Sequence, residues 1–204
     1  MRGLRHIVAG AACAALLALA GCVTQSAPSP QGAGVPAASP SAAVPLLRLP
    51  PASLGRSLNL QQQITVQYPS PQGEQTRDLL ALLEADATHT RLAAVAGGQV
   101  LARLDWDGHD LRVTTSPWAP RELMPERILS DLQLSLWPVA AIQAALPPGW
   151  RLDAAPGMRQ LRTGGEVVAE IRYPDALTTL FVQQRDGYRL TIRTLQDAGQ
   201  GRAR

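Results

Sequence analysis

A chain of 204 residues, 46% hydrophobic, 17% charged and 4% aromatic, has material for one ordinary core and hardly for two. Its 19 basic residues are all arginine and stand against 16 acidic ones, a balance without the basic footprint of a nucleic-acid binder. Both cysteines, Cys13 and Cys22, lie near the N-terminus, so no disulfide can staple the body of the chain.

Residues 1–21 read as a secretory signal: Arg2, Arg5 and His6 form a basic start, and an apolar run follows from Ile7 to Ala20. The run is shorter than the roughly 20 apolar residues of a spanning helix and gives way at once to Ser, Pro and Gly, which weighs against permanent insertion. Its end, Leu19-Ala20-Gly21-Cys22, is similar to the bacterial lipobox. That resemblance implies a lipid on the Cys22 thiol and cleavage just before it; cleavage after Ala20 as an ordinary signal peptide would leave Cys22 unexplained. Removal of the signal leaves 17 Arg against 16 acidic residues. Val23, where an inner-membrane retention signal would have Asp, implies transfer to the periplasmic face of the outer membrane.

Residues 22–45 are expected to be the acylated Cys and a disordered tether. The stretch is mostly Ala, Ser, Pro, Gly and Gln, without charge and with few large apolar groups, and such a composition cannot bury enough surface to fold. As a coil it would reach on the order of 25 Å. The folded domain is expected over 46–198, with a disordered tail at 199–204.

Behind the tether, short runs are bounded by turn dipeptides: Gly97-Gly98, Asp107-Gly108, Gly164-Gly165 and Asp186-Gly187. Two-residue loops at these points would set Val95 against Val100, Ala93 against Ala102, Trp106 against His109, Leu104 against Leu111 and Phe181 against Ile192. With runs at 60–68, 78–86, 150–153, 158–163 and 167–173, about ten strands result, nearly all joined by short loops. The sheet should be large and antiparallel.

One stretch breaks the two-residue period. Ile128, Leu129, Leu132 and Leu136 recur at helical spacing, with Pro125 suited to the first turn. Trp137-Pro138 ends or kinks this helix, and Val139, Ile142 and Leu146 continue a second until Pro147-Pro148-Gly149. The fold class expected is mainly β: a curved antiparallel sheet, an unclosed barrel of about ten strands, with two helices as lid or plug.

The order of signal, lipobox, tether, strands, helical insert and strands resembles the outer-membrane lipoprotein receptor LolB and its soluble relative LolA. The run from Pro125 to Leu134 and on through Trp137-Pro138 also looks like a family of uncharacterised Gram-negative lipoproteins, often encoded beside aryl-polyene biosynthesis genes. The resemblance implies a lipid anchor, a LolB-like scaffold and an apolar ligand, without catalytic residues. Trp137, at the kink between the helices, reads as core, where its indole N–H also needs a partner. If the helices form a lid, however, Trp118 and Trp137 flank its hinges and Ile128, Leu132 and Leu136 face the sheet, which makes these five the candidate ligand wall.

Other chemistry is weaker. The segment Asp105-Trp106-Asp107-Gly108-His109-Asp110 has spaced carboxylates, but an EF-hand beginning at Asp105 needs Glu where Ser116 stands. A solvated hairpin turn accounts for it. His89 and His109 lack a Gly-x-Ser-x-Gly or a mature thiol beside them other than Cys22. His89 fits either a polar patch in a cavity or a strand-end pair reaching solvent. Arg159 would face Glu170 as a cross-strand ion pair, or else reach into a cavity to meet an anionic head group.

The chain is therefore expected to be non-enzymatic, without cofactor, metal or nucleic-acid partner. Two functions stay open. In one, an outer-membrane-anchored periplasmic lipoprotein binds an acyl chain, lipoprotein anchor or aryl-polyene lipid and aids its delivery, with a LolA-like carrier or export machinery as partner. In the other, a filled-core structural lipoprotein docks to an envelope biosynthesis or export assembly.

Overall fold

The computed structural model describes residues 43–119 and 124–197; Cys22, the signal, most of the tether and the tail at 199–204 lie outside the described residues. Residues 43–204 form one compact unit, and both hydrophobic clusters of the described residues lie in it. The strands are β1 (Leu58–Ser70), β2 (Gly73–Ala85), β3 (Thr90–Ala96), β4 (Gln99–Trp106), β5 (Leu111–Thr115), β6 (Trp150–Ala155), β7 (Met158–Thr163), β8 (Glu166–Arg172), β9 (Thr178–Gln183) and β10 (Tyr188–Asp197). Between β5 and β6 come the helices α1 (Pro125–Leu136) and α2 (Val139–Ala145).

All ten strands join one antiparallel sheet in the order β5-β4-β3-β2-β1-β10-β9-β8-β7-β6. First and last strands pair at the centre, and the helical insert links the two free edges. The sheet is not closed into a barrel, as the strand pattern predicts. Three register shifts, on β1/β10, β3/β4 and β7/β8, leave Leu195, Leu101 and Val168 without an opposite partner, and such bulges bend and twist a sheet.

The two Gly-Gly loops are two-residue turns, as expected: Ala96 faces Gln99 and Thr163 faces Glu166. Gly97 and Gly98 hold φ of 56° and 74°, which a type I′ turn requires at both centres. The other two hairpins differ from expectation. Trp106 pairs with Leu111 rather than His109, and Phe181 with Leu190 rather than Ile192, so each loop has four residues. At the first, the Asp107 carboxylate accepts from the His109 and Asp110 N–H groups, which shapes a wider turn. Partners slip by two, so every side chain keeps its face. The bulge at Leu101 sets Ala94, not Ala93, opposite Ala102.

The pattern missed one element. Residues 44–54 form a strap laid across the base of α1 and the sheet, with Val44, Leu47, Leu49, Pro51 and Leu54 buried. Among the described residues the first buried one is Val44, two residues before the boundary suggested by composition. The Leu47 N–H donates to Ser130 Oγ, and Gln133 brackets Leu49 by accepting from its N–H and donating to its carbonyl. The Trp106 indole N–H donates to that same carbonyl at 2.8 Å. Gly108, at φ 95°, lies so near the strap that a Cβ would stand 3.3 Å from Pro51 Cδ.

Candidate functional site

Burial along the central strands shows where filling stops. On β1 the inward positions Leu58, Leu60 and Gln62 are buried, whereas Ile64, Val66 and Tyr68 are only partly so; on β2, Ala85, Leu83 and Ala81 are buried, then Leu79 half-buried and Arg77 exposed. Strap, α1 and α2 fill the concave face at the Leu58 end, and toward the β1–β2 hairpin the sheet runs on past them.

The space left is a cavity of about 690 Å³, within the roughly 300–1,000 Å³ of small-molecule sites. Ile64, Val66, Leu79, Ala81, Leu92, Ala94, Leu190 and Ile192 floor it; Ile128, Leu132 and Leu136 of α1 roof it. Alternation along the strands brings the first set to one face, and the 3.6-residue turn brings the second to another.

Of the five expected wall residues, the fold thus brings Ile128, Leu132 and Leu136 together on the cavity and leaves the two tryptophans apart from it. Trp118 is 78% exposed in the loop after β5. Trp137 is 0% exposed in the core at the helix kink, its indole N–H donating to Ser53 Oγ in the strap. A bulky side chain at a kink between helices that both pack inward is carried into the core.

The ionisable groups Arg127, Asp131, Asp186 and Tyr188 lie together along the cavity wall. Asp131 of α1 accepts a short hydrogen bond from the Tyr188 hydroxyl. Burial pushes the Asp131 carboxyl up to about 7, against the opposing effect of the Tyr188 bond. Burial and the neighbouring Asp131 also push the Tyr188 hydroxyl well above its ordinary range, so it remains a donor. Arg127, one turn earlier, approaches Asp186 Oδ2 at 3.5 Å and the Val44 carbonyl at 3.4 Å.

Arg159 neither faces Glu170 nor enters the cavity. The bulge at Val168 pairs Arg159 with Ile171 and Gln160 with Glu170. One Arg159 nitrogen donates to the carbonyls of Leu134 and Trp137, each at 2.9 Å, and the Tyr173 hydroxyl donates to the Ser135 carbonyl. Arg159 of β7 and Tyr173, just past β8, thereby satisfy carbonyls at the end of α1. Glu170 instead takes bonds from Gln160 and Arg172, each at 2.7 Å.

His89 forms a strand-end pair with Asp105, Nδ1 to Oδ1 at 2.8 Å, with Arg91 Nε at 3.7 Å from the same oxygen. In the segment once considered as a metal loop, Asp105 is thus engaged by His89 and Arg91, and Asp107 by its own turn and Arg112.

Sequence reasoning missed Asp131, Tyr188 and Arg127. The available signal was a Ser130-Asp131-x-Gln133 polar set inside an otherwise apolar helical run.

An open, all-antiparallel sheet that is capped at one end by helices and holds an apolar cavity defines the class: a mostly β protein with a built-in internal pocket. A family model described as "Protein of unknown function (DUF3261)" matches residues 59–196, and the chain belongs to that family. No curated protein matches the chain. Among the described residues, no helix is long and apolar enough to cross a membrane.

Proposed function

We propose that this protein is a lipoprotein held at the periplasmic face of the outer membrane by a lipid on Cys22, whose cavity takes an apolar ligand and aids its delivery to that membrane. The ligand would be an acyl chain, a lipoprotein anchor or an aryl-polyene lipid, and a LolA-like carrier or export machinery would be the partner. One observation carries the reading: the concave face keeps a mostly apolar hollow of about 690 Å³ where a chain seeking maximal burial would place side chains. Transfer of apolar ligand surface into such a hollow is favourable by roughly 25 cal/mol per Å². The lipobox-like Leu19-Ala20-Gly21-Cys22 supports the anchor, and the resemblance to LolB supports delivery as the purpose.

Native mass spectrometry of residues 43–204, produced in a Gram-negative periplasm, tests it. Co-purified lipid, or uptake of a fluorescent fatty acid by the stripped protein, is expected. Failure of both would sink the reading.

A further inference from the structure

The hollow has two unlike ends. Gln62, Ala81, Leu92 and Ala94 lie at the buried end, whereas Arg77, Met124 and Asp186 are exposed at the other, so an elongated ligand enters there with its apolar part leading. Near that mouth the α1 roof carries Asp131, a lining residue only 7% exposed. Its Oδ2 accepts from Tyr188, while Oδ1 has no hydrogen-bond partner among the described residues. That oxygen is not among the fully buried unpartnered atoms, so it keeps accessible surface and is open to a donor from a ligand in the hollow.

We infer that the ligand is an amphiphile whose uncharged, hydrogen-bond-donating end, a hydroxyl or a protonated carboxyl, sits at Asp131 Oδ1 with its apolar chain running toward Ala81 and Ala94. The inference rests on the apolar-ligand reading above and specifies the polar end that reading leaves open.

Charge selects this class. The groups around Asp131 are Arg127 on its own helix, Asp186 in the β9–β10 loop and Tyr188 on β10, with Tyr68 of β1 and Arg77 of β2 lining the same hollow. Arg127 lowers the Asp131 carboxyl, but less than burial raises it. Its Nη2 meets Asp186, and its unpartnered Nη1 is buried out of a ligand's reach. A permanently anionic head group brought to Asp131 would therefore add a second negative charge in surroundings of low polarity. A hydroxyl supplies the missing donor without adding charge. Because burial holds the Asp131 carboxyl at about 7, it also titrates where a carboxylic-acid ligand would feel it. Below that pH a neutral Asp131 and an acid can share protons, and above it two carboxylates repel.

The test titrates residues 43–204, the compact unit that contains both cores, with hexadecanol, hexadecanoic acid and hexadecane at about pH 5.5 and about pH 8.5. Hexadecanol should bind roughly tenfold tighter than hexadecane at both values, the worth of one well-made hydrogen bond. Hexadecanoic acid should lose about tenfold in affinity on going to the higher pH, and Asp131→Asn should remove most of that loss. Equal affinity for hexadecanol and hexadecane, a comparison that needs no variant, overturns the inference and leaves the apolar-ligand reading standing. A pH step unchanged in Asp131→Asn overturns it too. If none of the three probes binds at either pH, the apolar-ligand reading itself falls.

Discussion

A carboxyl in a helix that roofs an apolar hollow must be neutral, paired or both, and Asp131 is both through its burial and the Tyr188 hydroxyl. Its folded value of about 7 exceeds the roughly 3.9 of an unfolded aspartate, so the native state holds the proton more tightly. The resulting stability is fully present below about pH 4 and is lost as pH rises through about 7, on the order of 4 kcal/mol at most. Urea unfolding should therefore show stability falling across that window, and Asp131→Asn should flatten most of the fall; a variant with an unchanged slope would disprove the account. Asp86 acts oppositely and elsewhere. Bonds from the Thr88 side chain and backbone and from the His89 N–H hold it at about 2, so its contribution is fully present above about pH 4 and is lost as pH falls from there through about 2. None of this was readable from the primary structure. Asp131 follows Ser130 in a run whose spacing says only helix, and its environment comes from Tyr188, 57 residues away.

Helix α1 was legible as an element because Pro125, the apolar spacing and Trp137-Pro138 mark its start, face and stop. Its supports were not. One side leans on the strap through Ser130 and Gln133, and its last carbonyls are met by Arg159 of β7 and Tyr173 just past β8, both later in the chain. The strap was invisible because residues 44–54 show neither helical nor strand periodicity; they have no ladder of their own and use side-chain partners some 84 residues away. Gln133→Ala should destabilise the protein by about 2–4 kcal/mol in urea unfolding, since it strands the buried N–H of Leu49 and one bond to its carbonyl while opening a small void. A loss under about 0.5 kcal/mol would show that the strap does not depend on this bracket.

At the scale of the whole molecule, the hollow exists because β1 and β2 have 13 residues each while the strap and α2 fill only the Leu58 end and the α1 side chains roof the rest without filling it. Ala94, small and inward at the deep end, is a place to fill it. Ala94→Phe should change stability by under about 1.5 kcal/mol, because there is room for the ring, and should cut uptake of a fluorescent fatty acid at least about tenfold. Uptake unchanged in a well-folded variant would place the ligand elsewhere. Turn residues and alternation were enough to establish ten antiparallel strands, two helices and which side chains face inward, because those signals act over a few neighbouring residues and survive a slip of two in register. The exact strand partners, the strap, the exposure of Trp118 and the polar cluster at Asp131 were decided only in three dimensions. Each depends on contacts between segments far apart in the chain, and whether a concave face is filled depends on relative lengths and placements that no local pattern encodes.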